Sequence, residues 1–216
     1  MRRLVLGSIC VCVVLACSSL AGATEYFICN QAGTGAGTLA NPYKLGDLPN
    51  PSVQYDNGTA CSILQPGDTL TFLGGTYTLT SQTGGGPGYI HAVRDGTPSA
   101  PITFRVKPGD TVTINMVASG QAAFGTMFPP GGKVSYGRFV GFNVNQLAPN
   151  AGGEYAGFWM NGTCNEVAYC RSNGYNTTST NNWMGFRVES SNNVWVTLHP
   201  SATDCVGSGG SCPVAR

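Results

Sequence analysis

The chain has 216 residues, a formal net charge of +1, only 10% charged residues and 31 glycines. That balance supplies neither the basic face that nucleic acid requires nor a charged tail, and the glycines follow no three-residue collagen period. It fits an exported, loop-rich β protein with one domain and a substantial core.

The first 23 residues read as an export signal. Arg2 and Arg3 supply the positive end, Leu4 to Ala16 the apolar stretch, and Ala21-Gly22-Ala23 a small-residue cleavage site. A second reading stays open. Val14-Leu15-Ala16-Cys17 resembles a bacterial lipobox, which makes residues 1–16 a lipoprotein signal and Cys17 the lipidated residue. The two readings place the protein outside the cell or in the periplasm, or tether it to the cell envelope by lipid.

Residues 24–131 form an N-terminal cap and first, irregular coils. Tyr26–Cys29 is a strand, the run from Gly33 to Pro42 a turn-rich loop, and Tyr43 to Leu48 one short helical turn. A motif then occurs twice, as Gln65-Pro66-Gly67-Asp68-Thr69-Leu70-Thr71-Phe72 and Lys107-Pro108-Gly109-Asp110-Thr111-Val112-Thr113-Ile114. Pro-Gly makes a tight turn, Asp bonds the backbone beside it, and Thr alternating with apolar residues makes a strand. Gly74–Leu79 and Pro101–Val106 supply further alternating strands.

Residues 132–200 repeat themselves. Arg138–Val144, Asn165–Arg171 and Asn192–Leu198 share a pattern in which Val140, Val167 and Val194 recur every 27 residues. Between them Gly157–Asn161 and Gly185–Glu189 form a second pair offset by 28. Short alternating strands at a fixed period in the twenties define a solenoid, and no Leu-x-x-Leu-x-Leu frame or amphipathic helix is present. The predicted fold is therefore all-β, a right-handed parallel β-helix in which Val140, Val167 and Val194 share one inward column and Tyr169 also faces in. Asn165 and Asn192 are expected to form an amide ladder. Residues 201–216 are a polar, Gly-rich tail or minimal cap, short for a solenoid end.

The order of Tyr26-Phe27-Ile28-Cys29, the two Pro-Gly-Asp-Thr motifs and Pro101-Ile102-Thr103-Phe104 resembles the N-terminal portion of secreted right-handed parallel β-helix proteins, the pectate lyase and chondroitinase B/alginate lyase group. The resemblance implies an extracellular polysaccharide partner, β-elimination on uronic-acid glycans where the chain is active, and calcium as a cofactor, which nothing else in the sequence indicates. No catalytic residue carries over. A non-catalytic surface or adhesive β-helix is the alternative. In the second strand series Trp159, Asn161, Arg187 and Glu189 are expected to face outward together as a platform for a sugar ring, or as a plain cation–π contact. Lys133, Arg138, Glu154 and Glu166 are weaker outward candidates, and a monomer is expected.

Three of the nine cysteines lie in the signal, which leaves Cys29, Cys61, Cys164, Cys170, Cys205 and Cys212. In an exported chain disulfides are the default, with Cys164/Cys170, Cys205/Cys212 and Cys29/Cys61 as one of many allowed pairings. Without a Cys-x-x-Cys and with only two histidines, these cysteines are not expected to hold zinc.

Overall fold

The computed structural model describes residues 22–30, 35–44, 59–60, 63–79, 90–91, 94–116, 122–128, 132–147, 155–174, 183–189 and 195–198. Residues 1–21 of the signal, Cys17 among them, and Cys61, Val194, Cys205 and Cys212 lie outside them. Among the described residues every regular element is a strand: β1 (Glu25–Cys29), β2 (Tyr43–Lys44), β3 (Thr59–Ala60), β4 (Thr69–Phe72), β5 (Gly75–Leu79), β6 (Ile90–His91), β7 (Ile102–Val106), β8 (Val112–Met116) and β9 (Ala122–Gly125). The chain continues with β10 (Met127–Phe128), β11 (Gly132–Lys133), β12 (Gly137–Val140), β13 (Asn143–Gln146), β14 (Tyr155–Asn161), β15 (Glu166–Gly174), β16 (Trp183–Glu189) and β17 (Trp195–Leu198). The helical turn expected from Tyr43 starts as β2 instead.

Strands recur in threes, and each pairs in parallel with its counterpart one coil away. The first sheet runs β2-β1-β4-β7-β12-β15, with β17 added on β15. The second runs β5-β8-β13-β15, so the long strand β15 belongs to both. The third runs β3-β6-β9-β14-β16, and β10 and β11 form a separate antiparallel pair. This is a short parallel β-helix, as the repeat predicts. Regular pairing begins earlier than the expected boundary at residue 131, because β4, β7 and β12 belong to one ladder.

The core is built by inward columns. On the first sheet Leu70, Phe104, Phe139 and Val167 stand over one another, and the rings of Phe104 and Phe139 stack at 4.9 Å with an 11° tilt. On the third sheet Phe124 stacks on Phe158, and Phe158 on Phe186, both at 5.2 Å. These spacings follow the strand separation of about 4.8 Å, so identical residues on successive rungs meet face to face.

One expected column is wrong by a single residue. Phe139, not Val140, pairs with Val167, and Val167 in turn pairs with Val196. Phe139 is fully buried, whereas Val140 is half-buried and sits between Arg105 and Ala168. The cause is that residues 138–144 are not one strand. Gly141, at a φ of +89°, turns a corner between β12 and β13, and alternation restarts beyond it. Tyr169 takes the equivalent corner at a φ of +55° and ends 56% exposed instead of inside. Past that corner Cys170 is buried against Phe142, and Arg171 pairs with Asn143 and is exposed.

Polar groups close the remaining interior. Asp68 accepts the backbone N–H groups of Gln65 (2.8 Å), within its own turn, and of Thr24 (2.7 Å), while Asp110 accepts that of Gly74 (2.8 Å); the Thr24 and Gly74 bonds tie the turns to distant segments instead of to the backbone just after Asp. Asn165 is fully buried. Its Oδ1 accepts from Gly137 N (2.8 Å), and its Nδ2 donates to Val134 O (2.9 Å) and Asn161 O (3.2 Å). It is thus an internal tie, and Asn192, its expected ladder partner, lies outside the described residues. Among the described residues an amide ladder runs through Asn115, Asn145 and Asn173 on the second sheet, at 3.2 and 3.0 Å.

The corner can be tested by mutation. Phe139→Ala is expected to cost about 3–5 kcal/mol of unfolding free energy, and Val140→Ala about 1 kcal/mol, by denaturant titration. The 27-residue register requires the opposite order.

Candidate functional site

The outer face of the first sheet carries two columns of residues, one polar throughout and one that turns apolar after Arg105. Thr69, Thr103, Arg138 and Glu166 stand in one, and Thr71, Arg105, Val140 and Ala168 in the other. Opposite charges meet along this face, on adjacent rungs for Arg138 and Glu166 and across the intervening strand β4 for Arg105 and Glu25. Arg138 Nε meets Glu166 Oε2 at 2.6 Å, and Arg105 Nη2 meets Glu25 Oε1 at 2.7 Å. Thr71 also bonds Glu25 and accepts from Arg105 Nε at 3.1 Å. Burial alone would raise the Glu25 carboxyl, but the bonds from Thr71 and Arg105, with the guanidinium charge, hold it below the ordinary range.

Beside the Arg138–Glu166 pair lies a hollow of about 270 Å³, lined also by Thr97, Pro101, Tyr136 and Cys164. Tyr136 and Cys164 occupy the same corner of successive coils, two residues before Arg138 and Glu166, with φ of +59° and +56°. The equivalent corner before β4 is Gly67, at +94°. A left-handed backbone costs a side-chain-bearing residue about 1–2 kcal/mol relative to glycine, so the later coils hold a phenol and a thiol there against that preference. The Tyr136 hydroxyl engages the Cys164 sulfur. That bond, with the charges of the thiol and of Asp95, pushes the phenol above its ordinary range.

Cys164 and Cys170 are both unbridged thiols, which corrects the expected pair. The corner at Tyr169 sends Cys170 into the core. There its sulfur accepts from Phe142 N (3.4 Å) and donates toward Ala168 O (3.3 Å), while Cys164 stays at the surface hollow. Burial pushes the Cys170 thiol up to about 12.

The third sheet holds the residues singled out as a sugar platform. Trp159 pairs with Arg187 and Asn161 with Glu189, as the 28-residue offset predicts, and the Arg187 guanidinium lies 4.0 Å from the centre of the Trp159 ring. The geometry differs from an open platform. Trp159 is only 6% exposed, packs with Ala122 and Ala156, and has no hydrogen-bond partner for Nε1 among the described residues. Asn161 is buried too, its Oδ1 accepting from Gly162 N at 3.0 Å and its backbone N–H donating to Thr126 Oγ1 at 2.7 Å. The side chain of Glu189 lies outside the described residues. Of the weaker candidates, Arg138 and Glu166 come together, Lys133 is exposed on β11, and Glu154 is outside the described residues. Glu166 pairs with Arg138 and Trp195. The sequence patterns leave Tyr136 unmarked and assign Cys164 to a disulfide, although the spacing of the two repeats that of Arg138 and Glu166.

Fold and site together define an all-β parallel solenoid with a polar hollow on its first sheet. No family model matches the chain, and no curated protein matches it. Among solved structures, a rhamnogalacturonan lyase is similar over 71% of this chain and 36% of its own, at 15% identity and a TM-score of 0.46. A mannuronic-acid-specific family 6 polysaccharide lyase from human gut microbiota is similar over 81% of this chain and 39% of its own, at 17% identity and a TM-score of 0.43. The chain spans less than two fifths of the length of either.

Cys164 and Cys170 are expected to part company in solution. Alkylation of the native protein followed by peptide mapping should label Cys164 readily and Cys170 only after denaturation. Because the folded Cys170 thiol titrates well above its ordinary value near 9, the stability it contributes is complete below pH 9 and is lost as the pH rises toward 12. Unfolding free energy measured across that window should fall with pH, and Cys170→Ala should flatten the slope.

Proposed function

We propose that this chain is an exported parallel β-helix protein that engages extracellular polysaccharide on the outer face of its first sheet. The observation that carries this reading is the hollow beside Arg138 and Glu166. It joins an ion pair with spare hydrogen-bonding atoms, a phenol, and an apolar wall at Pro101, the groups a sugar ring with hydroxyl edges and a C–H face requires. Export rests on the N-terminal signal, with lipid on Cys17 as its alternative. A glycan partner also accords with the sequence resemblance to secreted β-helix lyases.

On this reading Trp159 and Arg187 form a stack that fastens one rung to the next, and Arg138 is the contact residue. Calcium does not fit the described residues. It takes six to eight oxygen ligands, and both Glu25 and Glu166 are already engaged by arginines. A β-elimination site would need a free base, whereas on the described face Arg138 is held by Glu166, Arg105 by Glu25, and the raised phenol of Tyr136 stays protonated at neutral pH.

Affinity electrophoresis of the full chain through polysaccharide gels tests the reading. Arg138→Ala is expected to weaken retention about tenfold without loss of stability, since half-exposed ion pairs contribute little to folding. Trp159→Ala should cost about 3–5 kcal/mol of stability and leave retention unchanged below its melting transition. No retention on any polymer overturns the glycan reading. An ultraviolet-absorbing unsaturated product from a uronic-acid polymer would overturn the view that the face only binds.

A further inference from the structure

Granted the binding role just proposed, on which this inference rests, the electrostatics of the hollow narrow the kind of sugar it accepts. Among the described side chains that line it Arg138 is the single cation, and Glu166 neutralises it at 2.6 Å. A second carboxylate stands close by: Asp95 accepts the Ser135 N–H at 2.8 Å and bears on the Tyr136 hydroxyl. The raised Tyr136 phenol stays uncharged at neutral pH. The hollow therefore presents one positive and one negative charge, with a second negative charge at its border, although the sequence resemblance implies uronic-acid ligands.

We infer that the hollow takes a neutral sugar residue through adjacent hydroxyls and rejects a uronate at the same position. Joined through Nε and Oε2, Arg138 and Glu166 keep the guanidinium Nη groups as donors and Oε1 as an acceptor, side by side on neighbouring rungs. Two adjacent hydroxyls match that pair, one accepting from the guanidinium while the other donates to the carboxylate. A uronate carboxylate accepting from the Nη groups would be a third carboxylate near a single cation that Glu166 already neutralises, and it would lie against Glu166 with no charge left to offset it. The volume of about 270 Å³ lies near the lower bound of small-ligand sites, which begin at about 300 Å³, and suits one ring of a chain that continues across the open face.

Cys164 supplies a local reporter, because it lines the hollow and a bound ring would shield it. The test measures the rate of Cys164 alkylation by iodoacetamide in the full chain, resolved by peptide mapping, against two matched pairs of oligosaccharides. These are mannotriose with tri-mannuronate and galactotriose with tri-galacturonate, each pair differing only in oxidation at the sixth carbon. A neutral member should protect Cys164 at a concentration about tenfold below its acidic partner. Glu166→Gln, which keeps the shape and releases Arg138, should reverse that order, and Arg138→Ala should abolish protection by either. Equal protection by both members of a pair, stronger protection by the acidic one, or an unchanged order in Glu166→Gln overturns the inference while leaving glycan binding intact. Protection by none of the four, with no retention on any polysaccharide, overturns the binding role itself, and this inference falls with it.

Discussion

Every coil of this protein is obliged to place its inward side chains over those of the coil before it. The ladders are parallel and nearly in register, so a ring at one level has a fixed neighbour about 4.8 Å above and below. Phe124, Phe158 and Phe186 meet that demand on the third sheet with rings almost parallel. On the first sheet Phe104 and Phe139 do the same. Loop lengths are free to vary only where they leave the ladder. Thr71 and Arg105 are partners 34 residues apart, while Arg138 and Glu166 are partners 28 apart.

The same obligation explains how much could be read from the sequence. The architecture was legible because alternating apolar residues and the two Pro-Gly-Asp-Thr turns are local signals whose meaning does not depend on distant contacts. The third-sheet register was legible too, since Gly157–Asn161 and Gly185–Glu189 each lie in one uninterrupted strand. The first-sheet register was not. Aligning the valines assumes that inward and outward alternate without a break from Arg138 to Val144, whereas Gly141 interrupts the count. Stacking of Phe139 on Phe104 then decides the matter. That contact spans a whole coil and leaves no trace in a pattern of valines.

The candidate site was misplaced for related reasons. Trp159 was expected to offer an open ring because its neighbours in sequence alternate, and its outward direction is correct. What sequence does not state is that a guanidinium from the next rung and alanines on its own and the previous strand close over it. Conversely, Tyr136 and Cys164 lie outside any strand, at corners, where alternation gives no direction. The one-residue slip conceals them further, since only at an offset of 28 do the phenol and thiol fall on each other with Arg138 and Glu166 beside them. The thiol assigned to a bridge is thus the one at the surface, and its assigned partner is in the core.

Asn165 lies between Cys164 and Glu166, and its carboxamide is fastened inside by Gly137, Val134 and Asn161. Two side chains that border the hollow are therefore carried on a backbone locked from beneath. A receptor fastened in this way has little motion to surrender when it is filled, so the entropic penalty of capture falls mainly on the guest. Such a pocket discriminates by shape and charge already in place rather than by moulding itself to whatever arrives.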